Sequence, residues 1–319
     1  MNSKDASSQI QIGALQEAQL ADAHHIMSMA FGTHLGVPEP AAFLGETDFV
    51  FGRYRADPSA AFAATDGDRL VGAAFANCWG SVGFFGPLMV HPEYWNSGVA
   101  KQLLKPVMEC FERWGTQHAG LYTFANSTKH IGLYQKFGFW PQYLTVILAK
   151  KAQASASFNA ELYSVLNSQS RLAALEECAV LTGSLFDGLD LRKEIIAVLE
   201  QNLGDTLIIR DGKELAGFAV LHCGAGTEAG AGRCYLKFAA VCTGSDAEQR
   251  LSSLLQACEH YALENSFEHV VAGVSVGRSL AYKHMLRLGF KAQQTGIAMH
   301  RPGNCGYNRE DVFVLDDWR

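Results

Sequence analysis

Between positions 90 and 100 the chain reads Val90-His91-Pro92-Glu93-Tyr94-Trp95-Asn96-Ser97-Gly98-Val99-Ala100. An apolar run over residues 84–90 feeds a short polar turn, and an amphipathic pattern starts at once. Strand, glycine turn and helix N-terminus together present backbone N–H groups that lack partners, and the chemistry that suits them is capture of an anionic phosphate. Gly98 leaves room for close backbone approach, and Asn96 or Ser97 is positioned to cap the helix. Alone, such a turn is also what an ordinary strand-to-helix connection looks like.

The elements around the turn narrow the reading. Val99, Leu103, Val107, Phe111 and Trp114 recur at near-helical spacing, which predicts a helix over 98–114, bent near Pro106. Residues 120–124 read as a strand running out at Asn126, and 129–137 as a second helix that contains Leu133-Tyr134-Gln135-Lys136-Phe137 and leads into Gly138-Phe139. These residues resemble the GNAT superfamily of acyl-CoA-dependent N-acetyltransferases. That family carries a strand ending in Val, a Q/R-x-x-G-x-G/A turn, and downstream Asn followed by Leu-Tyr-x-Lys-x-Gly-Phe. Trp95 stands where the family prefers Gln or Arg. Backbone N–H groups make most of the contacts in such turns, so the motif stays readable.

The resemblance implies a coenzyme site, with acetyl-CoA as co-substrate and no metal. Asn96, Ser97, Gly98, Val99 and Ala100 would hold the pyrophosphate, with Lys101 or Lys105 supplying charge. In that fold the fourth and fifth strands splay apart and the pantetheine arm lies between them like an extra strand. The backbone of Leu88, Met89 and Val90 would pair with it, and an N–H near Met89 would polarise the thioester carbonyl. Asn126, Lys129 and Phe137 complete the implied coenzyme contacts. Tyr134 matches the tyrosine that protonates the leaving thiolate; a phenol with an ordinary pKa near 10 stays protonated at neutral pH. Plain aromatic packing for Tyr134, and a helix cap for Asn126, are the alternatives. The general base is open. His91 and Glu93 are the nearest titratable groups, while His34, Glu39 and Glu46 fall in the region that lines the acceptor pocket in this fold.

Composition sets the outer bounds. The 319 residues exceed one typical domain, and 48% hydrophobic against 18% charged residues fits packed globular cores. A net charge of −6 argues against a nucleic-acid partner. No apolar run is long enough for a membrane span, and residues 1–9 lack the apolar core of a leader. Eight cysteines with no Cys-x-x-Cys pair and no zinc-finger spacing fit a reducing cytoplasm.

The second half echoes the first. Asp66-Gly67, Leu70 and Gly72 recur as Asp211-Gly212, Leu215 and Gly217. Val90, Leu103, Leu104, Gly138 and Phe139 recur, at a slightly longer offset, as Val241, Leu254, Leu255, Gly289 and Phe290. A glycine-rich insertion around 224–232 accounts for the change of offset. The fold class expected is therefore α/β with a mixed sheet, two tandem GNAT-type folds over 8–150 and 158–319, joined by a polar linker over 150–158. The copies are not equivalent: Gly98 meets Gln249, Asn126 meets Gly277 and Tyr134 meets Met285. Asp246 and Glu248 add carboxylates to the second turn, where they would repel a pyrophosphate, so the second copy is expected to be degenerate. The run Gly224-Ala225-Gly226-Thr227-Glu228-Ala229 fits a loose dinucleotide pattern, but it leads into a strand rather than a helix and reads as a hairpin loop. The aromatic and charged tail to Trp318-Arg319 either closes a pocket or is pinned by packing of Trp318.

The leading expectation is an N-acetyltransferase that acts from the N-terminal copy on a primary amine of a small molecule or peptide, as a monomer or homodimer. A non-catalytic acyl-CoA-binding module is the competing class. A mycothiol-synthase-like enzyme, another tandem arrangement with a larger amine between the copies, is the other.

Overall fold

A computed structural model describes residues 10–154 and 160–319. The segment read as leaderless (1–9), the expected copy starts at 8 and 158, and linker residues 155–158 lie outside the described residues. The chain divides into two compact units. Unit 1 takes the chain up to Gly45 with Phe49–Asn77 and Phe85–Arg113; unit 2 takes Glu46–Asp48, Cys78–Phe84 and Trp114–Arg319. The copies 8–150 and 158–319 remain a proposal about the duplicated unit, not about compactness.

In unit 1, β1 (Gln11–Ala14) pairs antiparallel with β2 (Ala61–Asp66), and β2 with β3 (Arg69–Trp79) across the hairpin in which Gly67 takes a φ of +58°. Strand β4 (Val82–Val90) lies beside β3. Helix α1 (Leu20–Leu35) and the short α2 (Phe51–Ala56) lie between β1 and β2 in sequence, and the core joins Leu20, Ile26 and Met27 of α1 to Ala63, Leu70, Phe75 and Met89 of the sheet. Helix α3 (Val99–Arg113) buries Val99, Leu103, Leu104, Val107, Met108, Cys110 and Phe111, the expected stripe, and Pro106 lies inside it. Gly72 has a packing reason: a Cβ there would come within 2.8 Å of the Met89 carbonyl and 3.2 Å of Leu103.

Unit 2 contains β5 (His118–Thr123), α4 (Thr128–Gln135), β6 (Trp140–Lys151), β7 (Glu161–Leu162), α5 (Ser168–Leu185), α6 (Arg192–Glu200) and β8 (Thr206–Asp211). It continues with β9 (Glu214–Gly224), β10 (Gly230–Val241), α7 (Ala247–Glu264), β11 (His269–Ser275), α8 (Ser279–Arg287), β12 (Lys291–Arg301) and β13 (Val314–Leu315). Its strand order is β5-β12-β6-β11-β10-β9-β8-β7, with β13 on β10. The first residues of β4 join β5 in a parallel ladder, Val82↔His118, Gly83↔Ala119 and Phe84↔Gly120. One sheet face packs on α7 and α8 through Leu236, Ala239, Leu251, Leu254 and Met285; the other packs on α5 and α6 through Phe218, Phe238, Leu181 and Ile195. Burial of each such side chain contributes about 1.5–3 kcal/mol.

Element by element, β8-β9-β10-α7-β11-α8-β12 repeats β2-β3-β4-α3-β5-α4-β6. Gly217 repeats the packing of Gly72, with a Cβ meeting the Ala240 carbonyl at 2.8 Å. The final strands are exchanged, which periodicity could not reveal: β12 lies between β5 and β6, and β6 pairs with β11. The glycine-rich 224–229 stretch is a hairpin loop, with Gly224 opposite Gly230.

Two buried histidines on this sheet give a pH prediction. His118 Nε2 and His300 Nδ1 are 3.0 Å apart, both rings nearly inaccessible beside Trp318, with Phe186 against His118. Burial holds His118 down to about 4 and His300 to about 3, the latter helped by His118 and Arg278. Folded-state values below the unfolded value mean the native state binds fewer protons. Stability should be fully present above pH ~6.5 and fall as pH drops towards the folded values, by about 2 kcal/mol per histidine and about 4 kcal/mol for the pair between pH 7 and pH 5. Urea midpoints across that range check this; a flat profile contradicts it.

Candidate active site

In unit 1 the β4–α3 junction is held by its own side chains. The His91 amide donates to the Val71 carbonyl at 2.8 Å, and the Tyr94 hydroxyl to Asp66 at 2.8 Å. The Trp95 indole N–H donates to the Val90 carbonyl at 2.8 Å while its ring packs against the core of unit 1. Trp95 is therefore a pin for the turn, which explains a residue that fits no phosphate contact. The Ser97 hydroxyl donates to the Tyr94 carbonyl, so that bond tightens the turn instead of capping α3. Asn96 and Gly98 take φ of +67° and +85°.

Those left-handed residues turn the chain sharply into α3, whose ladder opens with the Gln102 amide on the Gly98 carbonyl at 3.2 Å. The amides of Gly98, Val99, Ala100 and Lys101 have no hydrogen-bond partner among the described residues. Space where a Cβ of Gly98 would sit is empty to 4 Å. Four consecutive donors at the positive end of a helix dipole, beside an open glycine, make an anion cradle. Lys101 and Lys105 are exposed on the same helix. Leu88, Met89 and Val90 end β4 immediately before the turn, with Met89 and Val90 buried and Leu88 half-buried.

The base candidates on this loop are tied into it. Glu93 pairs with Arg69 at 2.8 Å, and His91 Nδ1 faces Glu93 at 3.6 Å while accepting the Glu93 amide. Burial lowers the His91 pKa, keeping the ring neutral at pH 7. His34 and Glu39 are exposed in unit 1; Glu46, in unit 2, is exposed and uses its carbonyl to accept the Gly226 amide.

In unit 2, Ser127 caps α4 by accepting the His130 amide, so the cap considered for Asn126 belongs to its neighbour; Asn126 is exposed. Lys129 is exposed on α4, and Phe137 is half-buried just beyond it. Gly138, at φ +83°, ends the turn, with the Phe139 amide bonded to the Tyr134 carbonyl at 3.2 Å. Tyr134 is the buried residue of α4, 7% exposed. Burial pushes its phenol well above the ordinary range, opposed by a hydrogen bond with Thr123. The phenol is thus held protonated.

The second copy differs at each matching point. Gln249 lies inside α7, where Gly98 stands before α3, and Glu248 is engaged by His284 at 3.0 Å and Arg287 at 2.8 Å. Ala239 and Ala240, the counterparts of Leu88 and Met89, pair with Leu315 and Val314 of β13, and the Val241 amide donates to the Phe313 carbonyl. The protein's own tail thus bonds the stretch of β10 that matches the end of β4. Arg278 clamps that tail, donating to the Val314 carbonyl at 2.7 Å and to Asp316 at 2.5 Å. Trp318 then fills the space over Gly120, and its indole donates to the Tyr307 hydroxyl at 3.1 Å. Of the two readings of the tail, packing of Trp318 is the observed one. Arg278 was missed by the sequence reading, because nothing local marks an arginine whose partners lie in a distant tail.

Among the described residues no group of three or more His, Cys, Asp or Glu is arranged to hold a metal, and no helix is long and apolar enough to cross a membrane. The acetyltransferase (GNAT) family model matches residues 23–139, a span that includes both the β4–α3 turn and α4. No curated protein matches the sequence. Among solved structures, a candidate acetyltransferase from Pyrococcus horikoshii is similar at TM-score 0.68 and 13% identity, over 100% of this chain and 98% of that one. A GCN5-related N-acetyltransferase from Sphaerobacter thermophilus gives 0.56 at 14% identity, over 91% and 95%. The glucosamine N-acetyltransferase region of a fungal multi-domain GH3 β-N-acetylglucosaminidase gives 0.62 at 14% identity, over 94% of this chain and 39% of that one. At such identities the likeness is one of fold. The family match identifies a GNAT acetyltransferase domain over residues 23–139, which holds the turn and α4, and the chain as a whole shares the fold of these acetyltransferases.

Proposed function

We propose that the protein transfers the acetyl group of acetyl-CoA to a primary amine of a small molecule or peptide, using the N-terminal copy, in the cytoplasm and as a monomer or homodimer. The observation that carries this is the run of four amides from Gly98 to Lys101 without a partner among the described residues, beside an open glycine. The family's acyl transfer supplies the reaction class. Asn96, Ser97 and the amides through Lys101 would hold the pyrophosphate. The backbone of Leu88, Met89 and Val90, with Asn126, Lys129 and Phe137, would line the arm.

In the reaction a neutral amine attacks the thioester carbonyl carbon, and a backbone N–H near Met89 carries the oxyanion charge. The C–S bond then breaks, the thiolate takes the Tyr134 phenolic proton, the protonated nitrogen loses its own proton to solvent, and the phenolate regains a proton from solvent before the next turnover. Holding both reactants in register supplies much of the acceleration.

Calorimetry should find one acetyl-CoA site per chain. Saturation near 100 times Kd should raise the melting free energy by about 2.7 kcal/mol. Two equivalent sites would overturn the assignment of a single coenzyme-binding copy. Binding with no turnover across a panel of primary amines would instead mark a non-catalytic acyl-CoA module.

A further inference from the structure

Two thiols face each other across the β9–β10 ladder of unit 2. Cys223 and Cys234 stand opposite one another in the antiparallel register, and the Cys223 thiol donates to Cys234 Sγ at 3.6 Å. The Leu221 and Cys223 amides donate the other way, to the Asp205 and Leu203 carbonyls at 2.9 and 2.7 Å. Residues two apart in a strand bond to the same side, here away from β10, so the two cysteines form a non-hydrogen-bonded pair. In such pairs the Cα atoms come to about 4.5 Å and the side chains are closest. That spacing lies within the range a disulfide spans, about 4.4–6.8 Å, so the sulfurs can join by side-chain rotation while the strands stay in place. None of the eight cysteines is in a disulfide, and Cys258 of α7, in the same core cluster, is the rival partner.

The pair sits at the base of the glycine-rich loop. On β10 the register jumps from Gly230 to Cys234 while β9 moves only from Gly224 to Cys223, so the ladder is interrupted just above the two sulfurs. Beyond that break the loop grips a distant segment. The Gly226 amide donates to the Glu46 carbonyl at 2.8 Å, and the Asp48 amide donates to the Thr227 carbonyl at 2.9 Å. Gly230, at φ +73°, allows the close approach, since a Cβ there would stand 2.6 Å from Thr47 Oγ1. Residues Glu46–Asp48 belong to unit 2 with the loop. The two thiols differ in access: Cys223 is half-buried and Cys234 buried, so a small oxidant meets Cys223 first. The bond from Cys223, then burial, raise the Cys234 pKa well above the ordinary range, which keeps it a resting thiol.

We propose that Cys223 and Cys234 are a modification site, joined reversibly by peroxide into a disulfide that staples the base of the hairpin and steadies its grip on residues 46–48. Cys223, as thiolate, attacks one oxygen of hydrogen peroxide. The O–O bond breaks, leaving a sulfenic acid on Cys223 and a hydroxide that takes up the Cys223 proton as water. The Cys234 sulfur then attacks the Cys223 sulfur. An S–S bond forms, the S–O bond breaks, and the hydroxyl leaves with the Cys234 proton as a second water. The two thiols lose two electrons and the peroxide gains them. With Cys223 half-buried, the bond stays within reach of a reducing thiol, which reverses the step.

The test treats the full chain with hydrogen peroxide, alkylates it in denaturant and digests it without reduction for mass spectrometry. The protein should lose two hydrogens, yield a peptide pair joining Cys223 to Cys234, and keep its other six cysteines open to alkylation. Dithiothreitol should restore the starting mass. Cys234→Ser should lose the link and hold Cys223 as a sulfenic acid that dimedone traps. In the linked protein, hydrogen exchange at the Gly226 and Asp48 amides should slow by about 10-fold, within the roughly 100-fold that closing so short a loop allows. All eight thiols still open to alkylation, a link to Cys258 instead, or irreversible oxidation of Cys223 with no link overturns the proposal. Linkage that leaves both exchange rates unchanged overturns the stapling. The parental protein decides each of these even if the variant fails to fold.

Discussion

Gly98→Val should lose most acetyl-CoA binding while the protein remains folded. Two effects act together. At φ +85° a β-branched residue is strongly disfavoured, and the strain is on the order of 1–2 kcal/mol. The turn would relax towards a negative φ and re-aim the four amides from position 98 to Lys101. Even without relaxation, isopropyl atoms would occupy the space above Gly98, which is empty in the native turn. Losing one or two charge-assisted hydrogen bonds, at about 1.5–3 kcal/mol each, predicts an affinity fall of about 10- to 10⁴-fold. Gly98→Ala should lie between. Calorimetry reads the affinity, and circular dichroism with thermal melting shows that the fold is kept. Parental affinity in Gly98→Val would remove the turn from the coenzyme site.

Tyr134→Phe should act on turnover instead of binding. The ring stays packed, and the substitution deletes the phenolic hydroxyl together with its hydrogen bond to Thr123. That lost bond should cost about 1 kcal/mol of stability. General acids contribute about 10²–10⁴-fold, so kcat should fall by that much while the Kd of acetyl-CoA barely moves. Because burial raises the phenol's pKa, the parental rate should show no loss of the acid between pH 7 and 9. A variant that turns over at the parental rate across that range would mean the thiolate takes its proton from water.

The parts of the site that were legible in the sequence are those where backbone geometry and residue type are linked locally. Gly98 announces its positive φ, and the apolar stripe of α3 fixes which face packs, so strand 82–90 and the helix after it were readable almost residue by residue. Trp95 looked like a defect because type alone cannot show that an indole N–H bonds back to the Val90 carbonyl. Arg278 reaches a tail nearly forty residues away. No spacing rule links such a pair, since the sheet brings its members together. The exchange of β6 and β12 was hidden for the same reason: both orders bury identical faces.

That exchange fixes when the molecule can become itself. A ribosome releases β5 and β6 early, yet β12, which lies between them in the sheet, begins only at Lys291. Until then β5 and β6 have open edges, and the partner of β6 on its other side, His269–Ser275, is also unmade. Unpaired edges of this kind invite association with other chains, and closing such distant pairings is slow. The nascent protein therefore passes a long interval as an aggregation-prone intermediate that needs shielding, and a fragment ending near position 150 should stay insoluble however well its own motifs are formed.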